Sequence, residues 1–293
     1  MREYLVTLLL AAVICYVVTP YVRLVAIRLG VVSKIRERDV HTTPTPRLGG
    51  IGMFVGFAVA LGVAATIGWF ESVFAAPEHI YAILAAAFLI TTIGILDDMV
   101  DLDWSLKLAG QFLAAGILAW QGVQIVSLPI AGITIGSFGT SFIVTVFLTV
   151  LVMNAVNFID GLDGLVAGVV AIGTIVFFTY SYILAQQTSP TNYFNLASLI
   201  SAIVIGVCLG FLPLNWHRAK IFMGDSGAML LGMLMATSAL TVTGQIDPEM
   251  VSRENIVPAF LPLILPLAIG AITPMVRISM PMVKPYFSIQ GKN

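Results

Sequence analysis

The chain has 293 residues, of which 59% are hydrophobic and only 10% charged, with a mean hydropathy of +1.00. A soluble domain usually carries about 25% charged residues, so an ordinary water-exposed globule is excluded. The formal net charge of −1 says nothing by its sum and points to no nucleic-acid partner; charge here matters by position.

A bilayer core of roughly 30 Å needs about 20 apolar helical residues to cross it. Nine stretches qualify: 4–28, 48–70, 79–96, 105–121, 138–156, 165–185, 195–214, 224–246 and 256–273. The expectation is therefore an all-α polytopic membrane protein, with about nine transmembrane helices in one bundle over residues 1–273. Met1-Arg2-Glu3 before an apolar run resembles the start of a signal peptide. The run continues past Pro20 towards Gly30 without a small-residue cleavage site, so it reads as a retained first span. Cys15 and Cys208 lie inside apolar runs and read as small hydrophobic fillers, with no disulfide expected.

After the first span, Val40 to Gly50 mixes a stiff Pro segment with a Gly pair, and Arg47 is its candidate phosphate or sugar contact. The third span ends in Gly94-Ile-Leu-Asp97-Asp98, followed by Asp101, Asp103, Lys107 and Gln111. Adjacent carboxylates repel, and a divalent cation or a nearby Lys is the usual remedy. Lys107 and Gln111, four apart, share one helix face. Asp101 and Asp103 read better as caps of the fourth span than as site residues. Between spans four and five, Gln124 to Gly136 alternates loosely, which is compatible with a small external hairpin.

The fifth span runs into Asn154-Ala-Val-Asn157-Phe-Ile-Asp160-Gly161-Leu-Asp163-Gly164. Asn154, Asn157 and Asp160 recur every three residues, and the glycines allow a tight turn close to a ligand. Amides and carboxylates together suit a nucleobase, a ribose or a hydrated metal; a polar turn with caps is the plainer alternative. The eighth span opens with Asn215-Trp-His217-Arg218-Ala-Lys220-Ile-Phe222-Met-Gly224-Asp225-Ser-Gly227. A helix N-terminus is a ready anion site, and His217, Arg218 and Lys220 add cationic character. Asp225 would oppose a phosphate unless a metal stood between them, so it reads as a Mg²⁺ ligand. His217 taken alone reads equally well as an interfacial residue.

Lys and Arg orient the bundle. With the N-terminus outside, the inner loops and their helix ends hold Arg23, Arg28, Lys34, Arg36, Arg38, Arg47, Lys107, Arg218, Lys220, Arg277, Lys284 and Lys292, leaving only Arg2 and Arg253 outside. That parity brings the Asp97-Asp98, Asn154–Asp163 and Asn215–Asp225 clusters to one cytosolic rim, where an aqueous substrate can meet a lipid one.

Together, Pro46-Arg47-Leu48-Gly49-Gly50, Leu96-Asp97-Asp98, Asn154 to Leu165 and Phe222 to Gly227 resemble the polyprenyl-phosphate N-acetylhexosamine-1-phosphate transferases of glycosyltransferase family 4. The similarity is to the branch acting on undecaprenyl or decaprenyl phosphate with N-acetylglucosamine. The resemblance implies a bacterial inner-membrane enzyme that takes a UDP-sugar and a polyprenyl phosphate and uses Mg²⁺, with Mn²⁺ as the substitute; it is also compatible with a homodimer. It implies Asp97, Asp98 and Asp225 as the catalytic carboxylates, with Asp225 and Asp98 on the metal. Asn157, Asp160, Asp163 and Asn215 would contact the nucleotide or support the acids, and Phe222 would stack on uracil; Arg47, Lys107 and His217 stand beside them as substrate-binding candidates on their own chemistry.

The family's later His-rich motif is missing: only His41, His79 and His217 occur. Residues 274–293, with Pro281 and Pro285, read as an atypical, truncated or frame-shifted tail, and an inactive family member is one alternative. Others are the muramyl-pentapeptide branch and a transporter, although transporters place ionisable groups at mid-membrane and here they sit at span ends. A phosphatidyltransferase for CDP-linked alcohols fits poorly, because no Arg follows Asp163-Gly164.

Overall fold

The computed structural model describes residues 1–33, 44–125, 137–188 and 195–243. It contains α1 (Arg2–Arg28), α2 (Gly49–Thr66), α3 (Pro77–Val100), α4 (Trp104–Trp120), α5 (Phe138–Ile159), α6 (Leu165–Thr188), α7 (Leu196–Asn215) and α8 (Gly224–Thr243), with one 3₁₀ turn at Gly68–Phe70. Among the described residues there is no named strand; extended pairing is limited to an isolated antiparallel bridge between Val32 and Pro46. Seven of the helices are long and apolar enough to cross a membrane. The eighth, α4, has 17 residues and covers about 25 Å at the usual rise of about 1.5 Å per residue. The expected ninth span at 256–273, the tail and the hairpin beyond Ile125 lie outside the described residues.

Local chemistry sets the helix ends. Asp103 caps α4 by accepting from Ser105 N at 3.1 Å, Ser137 caps α5, and Asn195 caps α7 by accepting from Ser198 N at 2.7 Å. α3 continues four residues past the expected end, so Asp97 and Asp98 lie in its last turn instead of following it. The helix closes at Asp101, whose N–H still donates to Asp97 O at 3.0 Å while its own φ of 51° turns the chain out of the helix.

The helices alternate in direction. α8 lies at the centre against α2, α3, α5, α6 and α7, with nearly all of its residues buried. α1 packs chiefly on α2 and α7 and turns Leu5, Leu9, Val13, Val17, Tyr21 and Leu24 outward, an apolar face suited to lipid. Helices that share an apolar solvent gain little from hydrophobicity alone, so close contact depends on small residues. Gly206 and Gly210 on α7 supply it: an added Cβ would stand 2.2 Å from Leu8 O and 2.2 Å from Ala12 O on α1.

Candidate active site

The two ends of the bundle differ in chemistry. At one, Tyr4 packs edge-on against Phe70, Phe178 and Tyr182 and its hydroxyl accepts from Asn195 N at 3.0 Å. At the other, the acid and amide clusters of α3, α4, α5, α7 and α8 converge.

Lys107 stands at the centre of that convergence. Its ammonium donates to Asp97 Oδ2 at 3.1 Å and also contacts Asp225 Oδ2. The other Asp225 oxygen accepts from Asn157 Nδ2 at 3.0 Å, and Asp97 Oδ1 accepts from Leu102 N at 3.0 Å. The side chains of Asp97, Lys107 and Asp225 are 14%, 18% and 25% exposed, shielded from bulk water yet open to a ligand.

Asp98 faces elsewhere. Its Oδ1 accepts from Asp225 N at 3.0 Å, and its Oδ2 accepts from Ser226 N at 3.3 Å and Ser226 Oγ at 3.0 Å. Those N–H groups open α8 and have no partner within their own helix. The anion held by the start of α8, which the sequence marks as an anion site, is thus the chain's own Asp98 carboxylate. Gly224, at φ 69°, makes this possible: a Cβ there would lie 2.3 Å from Asp98 Oδ2.

The Pro46–Gly50 segment is laced to the same place by its backbone. Phe222 N donates to Pro46 O at 2.8 Å, Gly49 N to Phe222 O at 3.0 Å and Gly50 N to Met223 O at 2.9 Å. Leu48, buried, sits at φ 93°, a strained region for a side chain that is tolerated only where surrounding contacts enforce it. Beside it, Arg47 lies close enough for its charge to act on Asp98 and Asp160.

The Asp160–Gly164 turn follows α5. Burial is the main cause, and the Asp98 charge a second one, that pushes the Asp160 carboxyl up to about 7, opposed by Arg47. Asp163 Oδ2 accepts from Ala219 N at 3.2 Å and lies 3.5 Å from His217 Nδ1 on the exposed rim. Asn215, buried, uses its whole amide as a bracket: Oδ1 accepts from Gly164 N at 3.1 Å and Nδ2 donates to Ile221 O at 3.0 Å.

The residues singled out from sequence therefore fall at one end of the bundle, in distinct positions. Asp97, Lys107, Asn157 and Asp225 touch one another. Asp98 holds α8, Asn215 and Asp163 hold the loops, and Phe222 is tied by its backbone. Missed from sequence were Ser226, the hydroxyl partner of Asp98, and Gly94, where a Cβ would stand 2.3 Å from Ser226 Cα. Four-residue spacing of Gly94 from Asp98 was the available signal.

A divalent cation suits this site through Asp97 and Asp225, whose Oδ2 atoms already converge on one cationic group. Among the described residues no three His, Cys, Asp or Glu side chains gather as a metal cage. Mg²⁺ does not require one, since it usually takes one or two carboxylates with waters and substrate oxygens.

An antiparallel helical bundle crossing a membrane, with carboxylates, amides and a lysine meeting at one of its polar ends, is the class of a polytopic membrane transferase. The chain belongs to glycosyl transferase family 4, whose sequence model matches residues 80–243. It is 39% identical over 273 residues to the decaprenyl-phosphate N-acetylglucosaminephosphotransferase of Mycolicibacterium smegmatis, covering 92% of this chain and 67% of that relative. To the probable undecaprenyl-phosphate N-acetylglucosaminyl 1-phosphate transferase of Bacillus subtilis it is 34% identical over 242 residues, 82% of this chain and 63% of the relative. A phospho-N-acetylmuramoyl-pentapeptide-transferase of Halalkalibacterium halodurans is 31% identical over 264 residues, covering 84% and 77%.

Proposed function

We propose that this chain transfers N-acetylglucosamine-1-phosphate from UDP-N-acetylglucosamine to a polyprenyl phosphate, releasing UMP, at the cytosolic face of a bacterial inner membrane. The observation that carries the proposal is the meeting of Asp97, Lys107, Asn157 and Asp225 from four helices at one bundle end. The names of the N-acetylglucosamine relatives favour this donor over the muramyl one.

An oxygen of the lipid phosphate bonds to the β-phosphorus, and the bond from that phosphorus to the bridging oxygen breaks, its electron pair leaving with UMP. A phosphate monoester carries about −1.5 to −2 charges at pH 7, so it can attack directly, without a covalent aspartyl intermediate. Mg²⁺, or Mn²⁺, held by Asp225 and Asp97 would neutralise the diphosphate and the departing phosphate. Asp97 takes the place of Asp98 in the expected pair because its Oδ2 meets Asp225 Oδ2 at one cationic group, whereas the Asp98 oxygens face the backbone at the start of α8. Before a metal binds, Lys107 holds the two acids together against their repulsion; Asn157 orients Asp225, and Arg47 offers a further cation. Arg23, Arg28, Arg47, Lys107, Arg218 and Lys220 lie at the site end, and Arg2 at the other, a bias that supports a cytosolic site. A ninth helix at 256–273 and a homodimer complete the proposal.

Membranes containing the chain, given radiolabelled UDP-N-acetylglucosamine, should yield a butanol-extractable labelled lipid and exchange UMP into the nucleotide-sugar. Asp225→Ala should abolish both. Near-wild-type exchange in that variant, or lipid labelling only from the muramyl-pentapeptide nucleotide, would overturn the assignment.

A further inference from the structure

Beneath the contact of Lys107, Asp225 and Asn157, one helical turn deeper, the same three helices meet again. Gln111 follows Lys107 by four residues on α4, Asn154 precedes Asn157 by three on α5, and Met229 follows Asp225 by four on α8, so each pair shares a helix face. Asn154 Nδ2 donates to Gln111 Oε1 at 2.6 Å and to Val150 O at 2.8 Å. Gln111 Nε2 lies 3.5 Å from Asn154 Oδ1 and 3.2 Å from Met229 Sδ.

Gln111 is only 1% exposed, among Ala114, Ala115 and Leu118 on the buried face of α4. Burying an amide is costly unless its hydrogen bonds are made, and an apolar residue would fill that space without the cost. What the amides add is geometry. Hydrogen bonds weaken steeply with distance and angle, so a reciprocal pair admits one rotation and one axial offset of α4 against α5. That same rotation and offset brings Lys107 Nζ and Asn157 Nδ2 to the two oxygens of Asp225.

We propose that Gln111 and Asn154 are positioning residues, whose amide pair sets the register of α4 against α5 and so holds Lys107 and Asn157 on the Asp225 carboxylate. The catalytic consequence rests on the function proposed above; the placement of Lys107 does not.

The first readout is therefore the reactivity of Lys107 itself. The full chain in detergent micelles is treated with a water-soluble acylating reagent, and labelling of Lys107 is compared with that of exposed Lys220 by peptide mass spectrometry. Gln111→Leu and Asn154→Leu should each raise the Lys107 to Lys220 ratio about 10-fold, the scale of one lost hydrogen bond. Exchanging the pair, Gln111→Asn with Asn154→Gln, should bring the ratio back to within about 2-fold of the parent, as expected for coupled neighbours. A ratio unchanged in the single variants, or a rise that the exchange does not reverse, would overturn the proposal. If Gln111→Leu yields no folded protein, Gln111→Met keeps side-chain length and apolar packing and is judged on the same ratio. In the UMP-exchange assay the single variants should lose kcat by about 10²-fold, as for misplacement of about 1 Å, with KM for the nucleotide-sugar close to the parent value. A parent chain without exchange activity would count against the proposed function, while the Lys107 ratio would still decide the positioning role.

Discussion

Truncating Asp98 to alanine should destabilise the bundle far more than truncating Asp225. The Asp98 carboxylate accepts from two backbone N–H groups at the start of α8 and from the Ser226 hydroxyl. Losing an N-cap acceptor costs about 0.5–2 kcal/mol, and losing an anion at the positive helix end about 0.3–2 kcal/mol. The start of α8 is enclosed by Gly50 of α2 and Gly94 of α3, so the freed donors lack ready access to water, at about 1–3 kcal/mol for an orphaned group. These costs overlap, and about 3 kcal/mol is a central value for their sum. For a chain of this size that lowers Tm by about 6–12 °C. Asp225→Ala removes a partly buried ion pair and the Asn157 hydrogen bond but leaves Lys107 on Asp97, so it should cost about 1–1.5 kcal/mol, half the Asp98 figure or less. Thermal unfolding of both variants in detergent, followed by tryptophan fluorescence with a chelator present, makes the comparison. Asp98→Ala melting within about 2 °C of the parent would refute the capping role. A deficit that emerged only with added Mg²⁺ would return Asp98 to the metal.

Two further outcomes follow from the same geometry. Gly94→Ala places a methyl group 2.3 Å from the Ser226 backbone, which must push α3 and α8 apart; UMP exchange should fall by at least about 10²-fold. Gly116→Ala, on a face of α4 with nothing within 4 Å, should leave it unchanged, and equal effects of the two would contradict the packing. Asp160 has a carboxyl raised to about 7, so the folded chain binds the extra proton and stability from this group is full below about 4 and is lost as pH rises towards 7. Asp160→Asn, melted in chelator, should therefore raise Tm at pH 8 and change it little at pH 4; an equal shift at both would show that the group titrates normally.

Much of the fold was legible because its signal is one-dimensional. Runs of about 20 apolar residues must become helices in lipid, where the backbone can satisfy its own hydrogen bonds only that way. The eight described helices accordingly begin and end within a few residues of the apolar runs. Asp103 as a cap of α4 was legible too, since capping needs only the neighbouring residues. Alternation of direction then followed from counting helices, and it brought Asp97, Asn157 and Asp225 to one end before any contact was known.

What the sequence could not decide was the job of each polar residue at that end. Asp97 and Asp98 are chemically identical neighbours, but adjacent helical positions point about 100° apart, so one meets Lys107 and Asp225 while the other meets the backbone of α8. Gln111 and Asn154 likewise belonged to separate clusters in the sequence, one beside Lys107 and the other beside Asn157, until the packing of α4 on α5 joined their amides. Composition and period determined which segments cross the membrane and which end is polar. The rotation and axial offset of the helices, fixed by contacts between distant segments such as Gly206 against α1 and the amides of Gln111 and Asn154, were decided by tertiary structure alone, because a side chain's partners depend on where its helix faces.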